Sequence, residues 1–306
     1  MRVLVTGGTG FIGSHLVRQL LNLDIETKAL DNFSSSSNEN ISQVAKNTQL
    51  INSDIRDLDN MVSSFDKMDV VFHLAAETSI PESIKDPISV YDVNIKGTLN
   101  VLWAALQANV SRVVIASSCS VYGDIHQPPS RETYLPNPKS PYASSKLIAE
   151  ALAESFYHSY GLETICLRYF NVYGLLQRSD SDYAAVIPRF IECYRQKKNP
   201  KIYGNGQQSR DFIHVSDVAK ANILAATLPS TIVKRRRVFN IGTGQPTNLL
   251  ELLNLISQQT GYYLEPNFLE ARQGEVFESF ADISLAKEEL GFQALVNLEE
   301  GIKTLL

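Results

Sequence analysis

A cluster of glycines sits where a strand-like segment hands over to a helix-like one, and few folds accommodate that arrangement. The segment is Thr6-Gly7-Gly8-Thr9-Gly10-Phe11-Ile12-Gly13. Arg2 to Thr6 reads as a buried strand, and Ile12 to Leu23 as an amphipathic helix. Gly7, Gly10 and Gly13 remove side chains where the backbone must turn tightly and approach a pyrophosphate. The helix then points its free N–H groups at that anion. A second strand, Glu26 to Leu30, ends at Asp31, where a carboxylate suits the hydroxyls of an adenosine ribose. No Arg or Lys lies between Asp31 and Lys46. A 2′-phosphate there would meet a negative charge with no cation beside it. NAD is therefore expected over NADP.

Further strands are expected at Asp69–Leu74, Arg112–Ala116 and Thr164–Tyr169, with a long helix starting near Tyr142. Strands alternating with helices imply right-handed crossovers and a parallel sheet. The fold class is α/β: a doubly wound, Rossmann-type parallel sheet with a smaller mixed α/β lobe. The pattern loosens after Asn171, and Val238–Gly242 looks like one more core strand. The expected division is residues 1–172 as the dinucleotide domain, with 212–245 returning to it. Residues 173–211 and 246–306 form the substrate lobe. Ser34–Ser37 reads as a flexible loop and Lys234–Arg237 as a solvated basic patch.

Composition narrows the partners. A net charge of −5 argues against nucleic acid, which needs a basic surface. No apolar run approaches the roughly 20 residues that span a bilayer. Three spaced cysteines, Cys119, Cys166 and Cys193, make neither a disulfide framework nor a metal cluster. With no secretory signal visible after Met1, a cytoplasmic location is the expectation.

A catalytic pattern follows the expected strand at 112–116. Tyr142 and Lys146 stand at i and i+4, on one face of the expected helix. A free tyrosine titrates near 10, so it is a poor base at neutral pH. A nearby ammonium and an oxidised nicotinamide would together stabilise its phenolate. Ser118, just past a strand end, is placed to hydrogen-bond the hydroxyl that Tyr142 deprotonates. Ligands in such sheets bind at the C-terminal ends of the strands.

With these residues in view, the chain resembles an extended short-chain dehydrogenase/reductase of the nucleotide-sugar epimerase and dehydratase family. The likeness runs over essentially the whole length. It covers the glycine motif, Asp31-Asn32, Asp54-Ile55, His73-Leu74-Ala75-Ala76, Asn94, Leu167 to Asn171, Ser209 to Phe212 and Arg272 to Glu275. The resemblance implies that Asp54 and Ile55 flank the adenine and that Ala75 and Ala76 line the cofactor. It places Phe11, Ile12, Asn32, Ser34, Leu74, Asn94 and Tyr169 among the remaining cofactor contacts. Asn171, Arg210 and Arg272 would take the substrate pyrophosphate, for which bidentate guanidinium groups are suited. Tyr203, Ala185 and Val186 would border the nucleobase. Ser79, Cys119, Ser120 and Glu275 complete the expected substrate wall. Homodimerisation through two helices per subunit is also implied.

Within that family, dehydratases carry an acid two residues before the Tyr of the Tyr-Gly pair, here Tyr122-Gly123. This chain has Ser120 there. Elimination needs an acid or base at that point, so hydride transfer and 4-epimerisation remain. The position seven after Arg272 gates the sugar pocket in the 4-epimerases. Here it is Ser279, a small residue that admits an N-acetyl group. The expectation is a UDP-N-acetylglucosamine/UDP-N-acetylgalactosamine 4-epimerase, with UDP-glucose/UDP-galactose as a second pair. The alternative is a UDP-glucuronate or N-acetylated uronate 4-epimerase that uses Arg178 on the sugar carboxylate. A dehydratase and a non-catalytic NAD sensor are weaker readings.

Overall fold

The computed structural model describes residues 1–124, 128–178, 185–271 and 276–306. In chain order its strands are β1 (Arg2–Thr6), β2 (Glu26–Asp31), β3 (Gln49–Asn52), β4 (Val70–His73), β5 (Arg112–Ser118), β6 (Glu163–Tyr169), β7 (Asn171–Tyr173), β8 (Lys201–Tyr203), β9 (Ser209–His214), β10 (Val238–Ile241), β11 (Pro246–Asn248), β12 (Asn267–Leu269) and β13 (Glu278–Ser279). Seven of them make one sheet in the order β10-β6-β5-β4-β1-β2-β3. Every pairing in it is parallel. The order reverses between β1 and β4, and a crevice opens at such a reversal.

The central strands bury apolar residues on both faces because helices cover both sides of the sheet. The helices Phe11–Asn22 and Val215–Thr227 bury Leu16, Leu20, Val218 and Ala225 on one face. The helices Gly97–Gln107 and Pro141–Tyr160 bury Val101, Ala105, Ala153 and Phe156 on the other. A separate core of Phe190, Ile202, Phe212, Leu252 and Ile256 lies in the later half of the chain. Among the described residues, no helix is long and apolar enough to cross a membrane.

The later half is organised around β9. β7 pairs with its Phe212–His214 end, β13 with its Ser209–Arg210 end, and β11 antiparallel to Ser209–Asp211. Asp211, wholly buried, holds these pieces together. Its carboxylate accepts from Thr243 N (2.8 Å), the Thr243 hydroxyl (2.6 Å), Gly244 N (2.9 Å) and Ala281 N (3.1 Å). Burial pushes its pKa up, and the four donors oppose that shift.

One local expectation is corrected, and the basic run lies at the surface, held by ion pairs. Ser34–Ser37 is an ordered turn: Ser36 hydrogen-bonds Thr9 and Asp31, and Ser37 caps the helix Asn38–Ala45. In the run Lys234–Arg237, Arg235 pairs with Glu289 at 3.3 Å, and Arg237 pairs with Glu154 while lying 4.2 Å from the Tyr157 ring. Arg237 ties the start of β10 to the helix Pro141–Tyr160, and Arg235 reaches the helix Ser284–Glu289, an arrangement no local pattern announces.

Two buried histidines join separate elements. The Thr98 hydroxyl donates to Asn94 O (2.6 Å), so it accepts from His73 Nε2 (2.9 Å), and His73 Nδ1 accepts from Thr6 (2.8 Å). Arg18 donates to His15 Nδ1 (2.8 Å), so His15 Nε2 donates to Leu175 O (2.9 Å). Burial pushes His73 down to about 3 and His15 down to about 4. The unfolded chain protonates both near 6.5, while the fold holds them neutral. Stability present above pH 6.5 should fall as pH drops toward 4, by up to about 1.4 kcal/mol per unit for each group. Thermal melts from pH 7.5 to 4 should show this decline, and His73→Gln should flatten its slope.

Candidate active site

The crevice begins at the glycine turn. Gly7 has φ +70°, and a Cβ there would stand 2.6 Å from Ala75 N. A Cβ on Gly13 would fall on the Gly7 carbonyl oxygen. The turn therefore packs backbone on backbone and leaves no room for side chains. The helix Phe11–Asn22 starts at Gly10 with no side-chain cap and no acid in its first turn. Its first N–H groups, those of Phe11, Ile12 and Gly13, are left for an anion, so the turn fits a dinucleotide pyrophosphate.

Beyond the turn, Asp31 ends β2. Its carboxylate accepts from Thr9 N (3.0 Å), Phe33 N (2.8 Å) and the Ser36 hydroxyl (3.4 Å), which fixes it at the rim of the turn. Asn32 accepts from Ser34 N (3.1 Å) and donates to Asp54 (2.8 Å). Hydrogen bonds from Arg56, with Asn32 adding to them, hold the Asp54 carboxyl well below its usual range. Ile55 is buried against Gly97. Leu74 and Ala75 follow β4 and back onto β1 through Leu74 N to Thr6 O (3.1 Å). Ala76 comes next, in the unpaired stretch beyond that strand. These residues suit NAD: a tight cradle for phosphates, then carboxylates for the adenosine half.

Asn94 and Tyr169 have other partners. Asn94 lies in a π-helical turn, Asp92–Lys96, a feature frequent at functional sites. Its amide donates to Glu77 O (2.9 Å) and to Ser145 Oγ (2.9 Å), and its Oδ1 accepts from Glu77 N (2.8 Å). It thus ties the segment after β4 to the helix Pro141–Tyr160. The Tyr169 hydroxyl donates to Asn222 Oδ1 (2.9 Å) inside the core. Ser79 caps the helix Ile80–Lys85 by accepting from Glu82 N (3.2 Å).

The expected catalytic trio meets at the end of β5. Pro141 opens the next helix and Ser140 caps it, which sets Tyr142 in the first turn. Lys146 donates to Ala116 O (3.0 Å) and lies 5.9 Å from the Tyr142 ring centre. Ser118 accepts from Ser120 N (3.1 Å). Burial pushes Tyr142 up to about 12, opposed by hydrogen bonding with Ser118. Burial pushes Lys146 down to about 8. Burying the phenolate costs more than the hydrogen bond with Ser118 returns, and the charge of an oxidised nicotinamide would act against that cost.

The later half brings a wall against the trio. β13 pairs Ser279 with Arg210. Hydrogen bonding from Ser279 and Ser118 bears on the Cys119 thiol, which burial pushes up to about 11. Cys119 thus stands between the catalytic serine and the expected gate as a neutral thiol. Arg210 donates to Ser209 O (2.8 Å) and lies close enough to act electrostatically on Cys119. Asn171 donates to Asp211 O (3.3 Å). Ser120 keeps a buried hydroxyl without a hydrogen-bond partner. Tyr203 lies in β8, and Ala185 and Val186 lie at the start of the helix Val186–Gln196. Arg178 donates to Ser35 O (3.3 Å), on the turn that follows β2. Arg272 and Glu275 lie outside the described residues. The sequence reading missed Thr9, Ser36 and Glu150, whose partners are remote along the chain, and Arg56, which pairs with nearby Asp54 and with Asp92.

Residues 3–242 match the model of the NAD dependent epimerase/dehydratase family, and the chain belongs to that family. A putative UDP-glucose 4-epimerase of Methanocaldococcus jannaschii is 38% identical over 304 residues, covering 98% of this chain and 96% of that protein. A UDP-N-acetylglucosamine 4-epimerase from Methanobrevibacter ruminantium M1, solved with UDP-N-acetylmuramic acid, superposes with a TM-score of 0.93 at 38% identity. That match covers 99% of this chain and 96% of the other. A UDP-glucose 4-epimerase of Thermotoga maritima, solved with UDP-glucose, gives 0.93 at 37% identity, covering 99% and 97%. The enzyme is accordingly NAD-dependent.

Gly13→Ala should abolish NAD retention, because its methyl group would displace the Gly7 carbonyl from the turn. Cofactor released on denaturing the purified protein, measured against wild type, checks this.

Proposed function

We propose that this chain is a UDP-sugar 4-epimerase, an isomerase, whose main pair is UDP-N-acetylglucosamine and UDP-N-acetylgalactosamine. UDP-glucose and UDP-galactose are the second pair. The observation that carries the reading is the trio Ser118, Tyr142 and Lys146 at one strand end, with a serine and no acid at position 120. Tyr142 removes the proton of the C4 hydroxyl and returns it to the epimerised oxygen. Ser118 orients that hydroxyl, and Lys146 holds positive charge near the phenolate. The glycine turn would seat the pyrophosphate of NAD, which would take up the C4 hydride, return it to the opposite face of the 4-keto sugar and supply the second positive charge. Burial of Tyr142 and Lys146 keeps water from the 4-keto sugar while it turns over. Asn171, Arg210 and Arg272 hold the diphosphate, and Tyr203 with the 185–186 segment borders the uracil.

Sugar choice follows from the wall. Ser279 and Cys119 are small and adjacent, which leaves space for an acetamido group. The uronate alternative requires Arg178 at the sugar. Arg178 donates to Ser35 O, on the turn after β2.

Incubation with UDP-N-acetylglucosamine, UDP-glucose and UDP-glucuronate, with products separated by chromatography, tests all readings together. The acetylated sugar should be turned over fastest, and Tyr142→Phe should lose at least about a hundredfold in kcat. Ser279→Tyr should lose the acetylated sugar while keeping the plain hexose. No interconversion of any C4 pair would end the epimerase reading.

A homodimer is part of the proposal. Leu99 and Trp103 on the helix Gly97–Gln107 are exposed, as are Ile148 and Tyr160 on the helix Pro141–Tyr160. Trp103 and Tyr160 meet edge to face at 6.4 Å, so the two helices present one apolar surface. Trp103→Arg should shift sedimentation from dimer to monomer.

A further inference from the structure

A buried carboxylate that the proposed chemistry does not use lies two helical turns beyond Tyr142. Glu150 is eight residues after Tyr142 and four after Lys146, so all three share one face of the helix Pro141–Tyr160. Only 7% of it is exposed. A lone charge there would be costly, and Arg168 of β6 pairs with it bidentately, Nε at 2.9 Å and Nη2 at 2.7 Å.

The pair does more than neutralise itself. The Ser117 hydroxyl donates to Glu150 Oε1 at 2.5 Å. Ser117 is the residue before Ser118, and β5 places it beside Arg168 in β6. The Arg168 guanidinium lies 4.7 Å from the Tyr122 ring centre, and its Nη1 has no hydrogen-bond partner. Tyr122 closes the short turn Cys119–Tyr122 that follows Ser118, and its hydroxyl donates to Asn240 Oδ1 at 2.6 Å. The ion pair therefore grips the chain on both sides of Ser118. Lys146, one turn earlier on the same helix, donates to Ala116 O. Three successive residues of β5, 116 to 118, are thereby set against one helix face. Cys166 faces the same buried space, where Glu150, Arg168 and Lys146 all act on it.

We propose that Glu150, paired with Arg168, is a positioning residue that fixes the height of the helix carrying Tyr142 and Lys146 against the strand end carrying Ser118. Loss of the grip would let the helix slide along β5. The Ser118–Tyr142 contact would lengthen first, because Tyr142 lies in the frayable first turn. A misplacement on the order of 1 Å in such a set can cost about a hundredfold in rate. The effect would fall on kcat, since Arg210 and Asn171 on the substrate diphosphate stand on other elements.

The proposal rests on the epimerase reading for its kinetics, so the test has a second readout. Glu150→Gln leaves Arg168 unpaired and can fail to fold, so Ser117→Ala is the primary variant. It keeps the ion pair and removes only its link to β5. Expected results are a kcat about tenfold lower, KM within twofold of wild type and a modestly lowered melting temperature with the fold retained. The Tyr142 ionisation midpoint, read by NMR of ring-labelled tyrosine and assigned with Tyr142→Phe, should rise by at least about half a unit. Unchanged kcat and an unmoved midpoint would overturn the proposal. So would a fall in kcat with a risen KM and an unmoved midpoint, which marks general loosening. If wild type converts no UDP-sugar, the epimerase reading fails separately, and the midpoint alone decides this one.

Discussion

The structure depends on one close approach of backbones at the C-terminal end of β1. Gly7 lies against the Ala75 backbone, and Gly13 lies against the Gly7 carbonyl. Those contacts bring the first helix, the segment after β4 and the turn itself within reach of one pyrophosphate. They also set the distance between β1 and β4, where the strand order reverses. Thr9 N donates to Asp31 and so carries the constraint across to β2. A methyl group at either glycine would break the packing before it touched any ligand.

A second constraint is buried charge held by partners from separate elements. Asp211 accepts four hydrogen bonds and holds β9 beside the segments around Thr243 and Ala281. Arg210 and Ser279 stand on the strands it joins. Glu150 and Arg168 do the corresponding work at the end of β5. Each of these carboxylates costs about as much to bury as its partners return. Their yield is therefore definition of position more than stability, which is what a site with two separate walls requires.

Much of this was legible in the chain. The strands at 2–6, 26–31, 70–73, 112–118, 163–169 and 238–241 each carry adjacent apolar residues that the sheet buries. The strand at Gln49–Asn52 was not legible. Only Leu50 and Ile51 are apolar, and it is held by one neighbour at the sheet edge. The serine run was misread for a related reason. Ser36 and Ser37 are ordered by Thr9, Asp31 and the helix they cap, and composition does not report such partners. Asn94 and Tyr169 were read as cofactor contacts, yet their polar atoms are engaged by Glu77, Ser145 and Asn222. A residue type in a motif does not say where its hydrogen bonds go.

The sequence alone determined the dinucleotide turn, the expectation of NAD over NADP, and the Tyr142–Lys146 pair. Each depends on neighbours within a few residues or on helical periodicity, so local chemistry suffices to read it. Tertiary structure decided what surrounds them. It brought Ser279 to Cys119 across 160 residues and set the Arg178 guanidinium on the Ser35 carbonyl. It also moved Tyr142 upward and Lys146 downward in pKa. Those outcomes depend on burial and on partners far along the chain, and only packing fixes either one.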